Sequence, residues 1–168
     1  ELMQDKNYGE DKLYLLEQVD WRNNYEGNNM LGAGYAGVNL PFGKWNIYAG
    51  VRFEHSRMEL ISNTQKNEKS PTSVYYTYDD FFPSLNAAYR LNEQHQFRLS
   101  YGRTVNRPEF REVSSSVYYD FDLASNVQGN YDLKAAYIDN IDLGYEYYPS
   151  NGELISVSLF YKKSKYLI

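Results

Sequence analysis

The chain has 168 residues, enough for one domain with a core, and 19 of them are tyrosine. Its formal net charge of −5 argues against a nucleic-acid-binding surface, which needs clustered lysine and arginine. The absence of cysteine excludes a disulfide framework, a cysteine-ligated zinc site and thiol catalysis.

No apolar run approaches the roughly 20 residues of a transmembrane helix, and the mean hydropathy is −0.69. A low average is compatible with a transmembrane β-barrel, because lipid-facing and lumen-facing residues alternate along its strands and cancel. The chain begins at Glu1, with no initiator methionine and no signal peptide. We therefore expect it to be a section of a longer protein.

In chain order, residues 1–28 are expected to form a loop or strand lead-in, and a glycine-rich strand follows over about 30–40. The segment 45–54 has the clearest pattern, because its odd positions are apolar and its even positions are mostly polar or small. This period of two predicts a strand with one apolar face. The same pattern recurs in four later segments, namely 84–91, 97–102, 140–147 and 155–162.

The connections between these six predicted strands alternate in length. Three are tight and rich in turn-forming or polar residues, at 41–44, 92–95 and 150–153. Two are long, at 63–80 and 106–139. Short periplasmic turns alternating with long extracellular loops are typical of an outer-membrane barrel. We therefore predict an all-β fold, an antiparallel up-and-down meander that forms part of a transmembrane β-barrel.

Six strands cannot close a membrane barrel, since the smallest have about eight. The whole chain, 1–168, is therefore predicted to be a fragment of a barrel domain whose outermost strands need partners elsewhere. The odd-numbered apolar residues are predicted to meet outer-membrane lipid. The strongest candidates for this lipid-facing surface are Trp45, Ile47, Val51, Phe53, Leu85, Leu99, Ile141, Leu143, Val157 and Leu159.

Aromatic residues collect near the predicted strand ends, as they do in the two girdles of membrane barrels. Phe42 and Trp45 lie beside a short turn, and Phe81 and Phe82 lie beside a long loop. The alternative is that they are core aromatics of a soluble β-sandwich. The long loops themselves hold six aromatic residues, namely Tyr75, Tyr76, Tyr78, Tyr118, Tyr119 and Phe121. These rings either contact an unknown small ligand or pack the loops together.

Charged residues admit two interpretations each. Those on the even, lumen-side positions should pair with each other or with a plug, and they are Arg52, Glu54, Arg90, Arg98, Asp142 and Glu146. The acidic residues of the long loops either bind calcium or an iron chelate or are simply solvated, and they are Asp79, Asp80, Asp120 and Asp122.

Two apparent motifs carry no predicted chemistry. Gly32, Gly34 and Gly37 match a dinucleotide-binding fingerprint, but no helix is predicted after them to hold a pyrophosphate. His55 and His95 are the only histidines and are expected at opposite ends of the sheet. We therefore predict no cofactor, no metal site and no catalytic cluster.

Several segments resemble one protein family. They are Phe82-Pro83-Ser84-Leu85, the run 99–112 that contains Tyr101-Gly102-Arg103 and Asn106-Arg107-Pro108, and the runs 127–134 and 140–146. These segments are similar to the barrel of TonB-dependent outer-membrane receptors of Bacteroidetes-type bacteria. The chain departs from the family pattern at Tyr131 and Ala135, where prolines are usual.

The resemblance implies a parent protein with a barrel of about 22 strands around a plug domain. It also implies uptake of a scarce nutrient, such as a metal chelate or a glycan, driven by energy passed on by TonB through a segment of the plug. Two other classes stay open, a soluble β-sandwich carbohydrate-binding module and a non-transporting outer-membrane barrel or adhesin. An enzyme is not expected, because no nucleophile, base and acid can be grouped.

Overall fold

The computed structural model describes residues 20–166. Strands β1 to β4 follow one another along the chain as Tyr25–Phe42, Trp45–Asn63, Pro71–Arg90 and His95–Asn106. A short helix α1 (Phe110–Val113) and two short strands, β5 (Val117–Asp120) and β6 (Ser125–Gln128), occupy the long connection that follows. The last two long strands are β7 (Ala136–Tyr147) and β8 (Ile155–Lys165). A turn of 3-10 helix, Trp21–Asn23, precedes β1.

The six long strands form one antiparallel sheet in the order β1-β2-β3-β4-β7-β8, and β5 and β6 form a separate hairpin. Each long strand pairs with its neighbour along the chain, which confirms the predicted meander. The alternative of a soluble β-sandwich is wrong, because the long strands belong to one sheet and not to two packed sheets. Within residues 20–166 no helix has the length and apolar character needed to cross a membrane.

The short connections have defined turn geometry. Gly43, between β1 and β2, has a φ of 56°, and Gly152, between β7 and β8, has a φ of 91°. Residues other than glycine rarely adopt these angles. Between β3 and β4, the side chain of Asn92 accepts hydrogen bonds from the backbone N–H groups of Gln94 and His95, at 3.0 and 2.9 Å. Such side-chain-capped turns reverse the chain within a few residues.

The long strands extend past the predicted segments. The expected loop at 63–80 is wrong in its extent, because only residues 64–70 connect β2 to β3 and residues 71–80 belong to β3. The lead-in expected over 1–28 ends before Tyr25, where β1 begins, and its residues 1–19 lie outside the described part of the chain. The long loop expected at 106–139 is found as the connection 107–135.

The sequence pattern misses the full length of the strands because the apolar alternation changes phase along β2. Between residues 45 and 53 the odd positions are apolar, but further along His55 and Glu59 occupy odd positions. There the even residues Met58 and Leu60 are apolar and buried instead. The apolar residues of the two halves of the strand therefore lie on opposite faces, and a single alternating pattern ends near residue 54.

The core lies between the second half of β2 and the 107–135 connection. Leu60 and Val113 are fully buried, and Met58 is nearly so. Partly buried side chains that pack around them are Tyr76, Phe110, Tyr131 and Leu133. The connection therefore folds back over one face of the sheet.

Candidate functional site: two faces of the sheet and the connection between β4 and β7

The strand register places all ten predicted lipid-facing residues on one face of the sheet. Residues paired across an antiparallel ladder share a face, and residues two apart along a strand share it as well. One row crosses all six strands in the order Leu40, Ile47, Ala87, Leu99, Leu143 and Leu159. We call this surface the apolar face.

Aromatic pairs mark both ends of the apolar face. At the end near the short turns, the ring centroids of Trp45 and Tyr89 are 4.6 Å apart. At the other end, those of Phe53 and Phe81 are 5.0 Å apart. Residues 45 to 53 span nine positions along β2. This apolar band matches the roughly 9–11 residues with which a tilted β-strand crosses a membrane.

Charged residues follow directly beyond the band on the same face. His55 Nδ1 lies 2.8 Å from Asp79 Oδ1, one row past Phe53 and Phe81. On the same face, but on strands β4 and β7, Arg103 Nε lies 3.8 Å from Asp139 Oδ1. The abrupt change from apolar to charged rows is what the edge of a hydrocarbon layer requires.

The opposite face is polar, and we call it the polar face. Arg52 Nε lies 2.7 Å from Glu54 Oε1, and Arg98 Nε lies 2.9 Å from Glu146 Oε1. Four of the six predicted lumen-side charges thus pair with each other. The hydroxyl of Ser100 donates to Asp142 at 3.3 Å. A trough of about 530 Å³ lies on this face over β3, β4 and β7.

The sheet is split at one position. The pairing of β3 with β4 ends at Ser84 and Gly102, whereas β4 and β7 remain paired as far as Asn106 and Ala136. Residues 71–83 of β3 therefore have no strand beside them on this side within the described part of the chain. Side chains bridge the gap in place of a backbone ladder.

Arg107 is the principal bridge across this gap. Its Nη1 lies 2.8 Å from Glu54 Oε2, and its Nη2 lies 2.7 Å from Asp80 Oδ2. The Asp80 side chain is only 8% exposed. The hydroxyl of Tyr137, a residue beyond the apolar band, donates to the other Asp80 oxygen at 2.7 Å. Burial and this hydrogen bond raise the pKa of Tyr137 to about 12, so the phenol remains a donor at neutral pH.

The connection 107–135 packs closely on the sheet and on itself at two glycines. A Cβ atom at Gly27 of β1 would lie 2.5 Å from the ring of Phe110, so that ring packs directly on the strand backbone. A Cβ atom at Gly129 would collide with the backbone carbonyl of Ser114. The hydroxyl of Tyr131 lies 3.0 Å from that of Ser62. Only residues without side chains allow this packing at 27 and 129.

The six aromatics predicted to be loop residues separate into two groups. Tyr75, Tyr76 and Tyr78 lie on β3 and not in a loop. Tyr75 donates to Glu59 at 2.8 Å, and Tyr76 donates to the Tyr131 carbonyl at 2.9 Å. The guanidinium carbon of Arg107 lies 5.6 Å from the ring centroid of Tyr78. These three rings therefore have structural contacts within the sheet and its connection.

The other three belong to the hairpin of β5 and β6. The Arg111 guanidinium carbon lies 3.5 Å from the ring centroid of Tyr118, which is a close cation–π contact. Tyr119 and Phe121 meet edge to face with centroids 5.1 Å apart. Phe121 is 87% exposed and Tyr119 is half exposed. An exposed aromatic pair at the tip of a connection offers apolar surface to a ligand.

The acidic residues of the predicted loops do not come together. Asp79 pairs with His55, and Asp80 pairs with Arg107. The Asp120 carboxylate accepts from the backbone N–H groups of Asp122 and Leu123, at 2.9 and 3.0 Å. Among residues 20–166, no group of three or more acidic, histidine or cysteine side chains could hold a metal ion.

The remaining motif residues have structural positions. Gly32, Gly34 and Gly37 lie inside β1, and a Cβ atom at Gly37 would lie 2.5 Å from the hydroxyl of Tyr48. His95, the first residue of β4, has its Nδ1 2.7 Å from the Tyr145 hydroxyl, whereas His55 lies two strands away in β2. Sequence reasoning missed the roles of Arg107, Tyr131 and Tyr137, which have no alternating pattern around them.

Comparison with known proteins gives a family and a fold. The model of the outer membrane protein beta-barrel family matches residues 6–168. No curated protein matches the chain. A solved structure of a doubly substituted ferric enterobactin receptor from Pseudomonas aeruginosa is 17% identical, with a TM-score of 0.51, and the match covers 84% of this chain and 27% of that one. A singly substituted variant of the same receptor is 18% identical, with a TM-score of 0.49, covering 83% and 27%.

The chain thus spans 27% of the length of the receptor whose fold it shares. At this identity the likeness concerns the barrel fold. The family match covers nearly the whole chain, and the apolar band has the length and the charged borders of a membrane-crossing surface. The chain therefore belongs to the outer membrane protein β-barrel family and is a section of a β-barrel of the bacterial outer membrane.

Proposed function

We propose that the chain is part of a TonB-dependent receptor that takes up a scarce nutrient, a metal chelate or a glycan, across the outer membrane. The observation that supports this most is the connection 107–135, which contains segments that resemble such receptors and folds onto the polar face. A connection that folds inward narrows the lumen above a plug, as a receptor with a gated passage needs.

In this proposal the two faces of the sheet have different partners. The ten apolar-face residues, from Trp45 to Leu159, meet lipid. The polar face surrounds the plug, whose polar surface can pair with side chains such as Arg98 and Asp142. TonB acts through the plug and not through this section. The role in this proposal is transport and not catalysis.

The ligand is expected to meet the hairpin of β5 and β6. Tyr119 and Phe121 are its exposed aromatic residues, whereas Tyr76 and Tyr118 are engaged elsewhere. The receptor with the shared fold is named for ferric enterobactin, an iron chelate. A chelate of this kind is therefore the first ligand to test, although a shared fold is only an analogy for function.

The experiment uses the source bacterium with the gene for the intact parent protein deleted. Growth is measured with ferric enterobactin as the only iron supply and, separately, with mixed oligosaccharides as the only carbon supply. We expect a defect in one of the two media, reproduced by disrupting TonB in the wild-type strain. Complementation with a parent carrying Tyr119→Ala and Phe121→Ala should restore growth less well than a parent carrying Leu123→Ala, an exposed residue of the same hairpin.

Normal growth of the deletion strain in both media would overturn the uptake proposal for these two ligand classes. A defect that persists equally with and without a working TonB system would indicate a barrel that does not depend on TonB. Full complementation by the doubly substituted parent would show that Tyr119 and Phe121 do not contact the ligand.

A further inference from the structure

A cluster of positive charges lies on the apolar face just beyond the membrane band. Arg103 of β4, Asp139 of β7 and Lys163 of β8 form one row across three strands. Lys165 lies two residues further along β8 and shares their face. Lys134 adjoins it, because the ammonium groups of Lys134 and Lys165 lie 5.4 and 5.0 Å from the ring centroid of Tyr166.

The charges of this cluster are poorly compensated. Asp139 is the only acidic residue in its rows, and its carboxylate also accepts from the hydroxyl of Tyr101 at 2.9 Å. Arg103 is 3.8 Å from that carboxylate, and its buried Nε has no hydrogen-bond partner within residues 20–166. Neither Lys163 nor Lys165 has an ion pair among the described residues. The cluster thus concentrates positive charge in a chain whose formal net charge is −5.

The position of the cluster identifies what it can meet. The preceding row on the same face is Tyr101, Ile141 and Tyr161, which ends the apolar band on this side. Side chains one row past a hydrocarbon layer lie at the level of the lipid headgroups. The corresponding two rows of β2 and β3 hold His55 with Asp79 and Arg57 with Thr77, so they have no such excess of positive charge.

We propose that Arg103, Lys134, Lys163 and Lys165 bind the phosphate-bearing headgroup of an anionic lipid at the edge of the membrane band. The Arg103 side chain is 40% exposed, so its guanidinium can donate to phosphate oxygens, and the lysines add charge around it. The inference rests on the proposal that the apolar face meets lipid. With the long connections outside the cell, this lipid belongs to the outer leaflet.

The test measures lipid retention by the intact parent protein. The protein is reconstituted in equimolar phosphatidylglycerol and phosphatidylcholine, and the lipids that stay bound are counted by native mass spectrometry. The variants are Arg103→Gln, Lys163→Gln, Lys165→Gln and the triple substitution, since glutamine keeps much of the side-chain stem. The matched control is Lys162→Gln, which removes a charge from the same strand but from the polar face.

We expect the wild type to prefer phosphatidylglycerol, with the preference falling about fivefold for each cation removed. The Lys162→Gln control should keep the wild-type preference. An unchanged preference in the triple variant, or an equal loss in Lys162→Gln, would overturn the proposal. Binding of inorganic phosphate by a wild type that retains phosphatidylglycerol and phosphatidylcholine equally would assign the site to free phosphate and overturn the lipid assignment.

A separate measurement distinguishes failure of the headgroup proposal from failure of the proposal that the apolar face meets lipid. All variants are inserted into vesicles of pure phosphatidylcholine, which has no net negative headgroup. If the apolar face meets lipid, wild type and triple variant insert equally well. Poor insertion of the wild type itself would contradict the lipid-facing assignment and not the headgroup site alone.

Discussion

Arg107 Nη2 lies 2.7 Å from Asp80 Oδ2, and this contact joins the residue after β4 to the middle of β3 across the gap in the sheet. The same guanidinium binds Glu54 of β2 at 2.8 Å. One side chain thus fixes the start of the 107–135 connection to two strands at once. The position of that connection over the polar face depends on this arrangement.

Arg107→Ala should release the connection from the sheet. The substitution leaves the largely buried carboxylate of Asp80 without its cation and that of Glu54 with Arg52 alone, which should destabilise the docked state by about 2 kcal/mol. Limited proteolysis within residues 107–135 of the intact protein should then be about 30-fold faster, because cleavage follows the population of the open form. Arg52→Ala is the control, since Arg52 also pairs with Glu54 but is 44% exposed. Equal cleavage of wild type and Arg107→Ala would contradict this role.

A charge on the apolar face should prevent stable insertion. Leu85 lies midway between the band-edge residues Phe81 and Tyr89, so Leu85→Arg should lower the free energy of unfolding by about 2–4 kcal/mol. Asn86→Arg, one residue further along β3, places the same charge on the polar face and should cost little. Denaturant unfolding in lipid vesicles measures both values. Equal losses for the two variants would show that the faces are assigned wrongly.

The apolar face could be predicted from the sequence because lipid imposes one rule on every strand that crosses it. Each alternate residue between 45 and 53 must be apolar, and the same holds for the neighbouring strands. The second half of β2 could not be predicted in this way. There Met58 and Leu60 are buried by the connection 107–135, which lies more than 40 residues away in the chain. The alternation consequently changes phase, and the sequence pattern predicts a loop at β3 residues such as Tyr76.

The packing of the connection depends on Gly129. A Cβ atom there would meet the carbonyl oxygens of Ser114 and Glu112, and backbone atoms cannot rotate away as a side chain could. Gly129→Ala should therefore expose the connection to protease, whereas Gly34→Ala, where a Cβ atom meets nothing within 4 Å, should behave as wild type. Both variants are compared by proteolysis and by the heat stability of the folded protein. Normal protection in Gly129→Ala would show that the connection adapts at this position.

Sequence reasoning also misses the contacts that hold this connection. Arg107 follows the end of β4 and takes part in no alternating pattern, and its partners lie 53 and 27 residues away. Tyr137 is the second residue of β7 and looks like any strand residue, yet its hydroxyl reaches Asp80 on another strand. These roles depend on the early end of the β3–β4 ladder, which strand propensities do not encode.

Topology can be tested with single cysteines, because this section has none of its own. In the intact parent, freed of other cysteines, Glu68→Cys and Asp122→Cys lie on the side of the long connections, and Glu93→Cys and Asn151→Cys lie in the short turns. All four positions are exposed. A membrane-impermeant maleimide added to whole cells should label the first pair and leave the second pair unlabelled until the cells are broken.

Ser115 supplies the internal control for this labelling. It belongs to the long connection but is only 3% exposed, and its hydroxyl donates to the carbonyl of Asn63. Ser115→Cys should therefore stay unlabelled on intact cells and become labelled once the protein is denatured, even though Asp122→Cys in the same connection reacts at once. Rapid labelling of Ser115→Cys would mean that the connection does not fold onto the sheet in the cell. Labelling of Glu93→Cys and not Glu68→Cys on intact cells would reverse the orientation, and the cationic cluster would then lie at the inner leaflet.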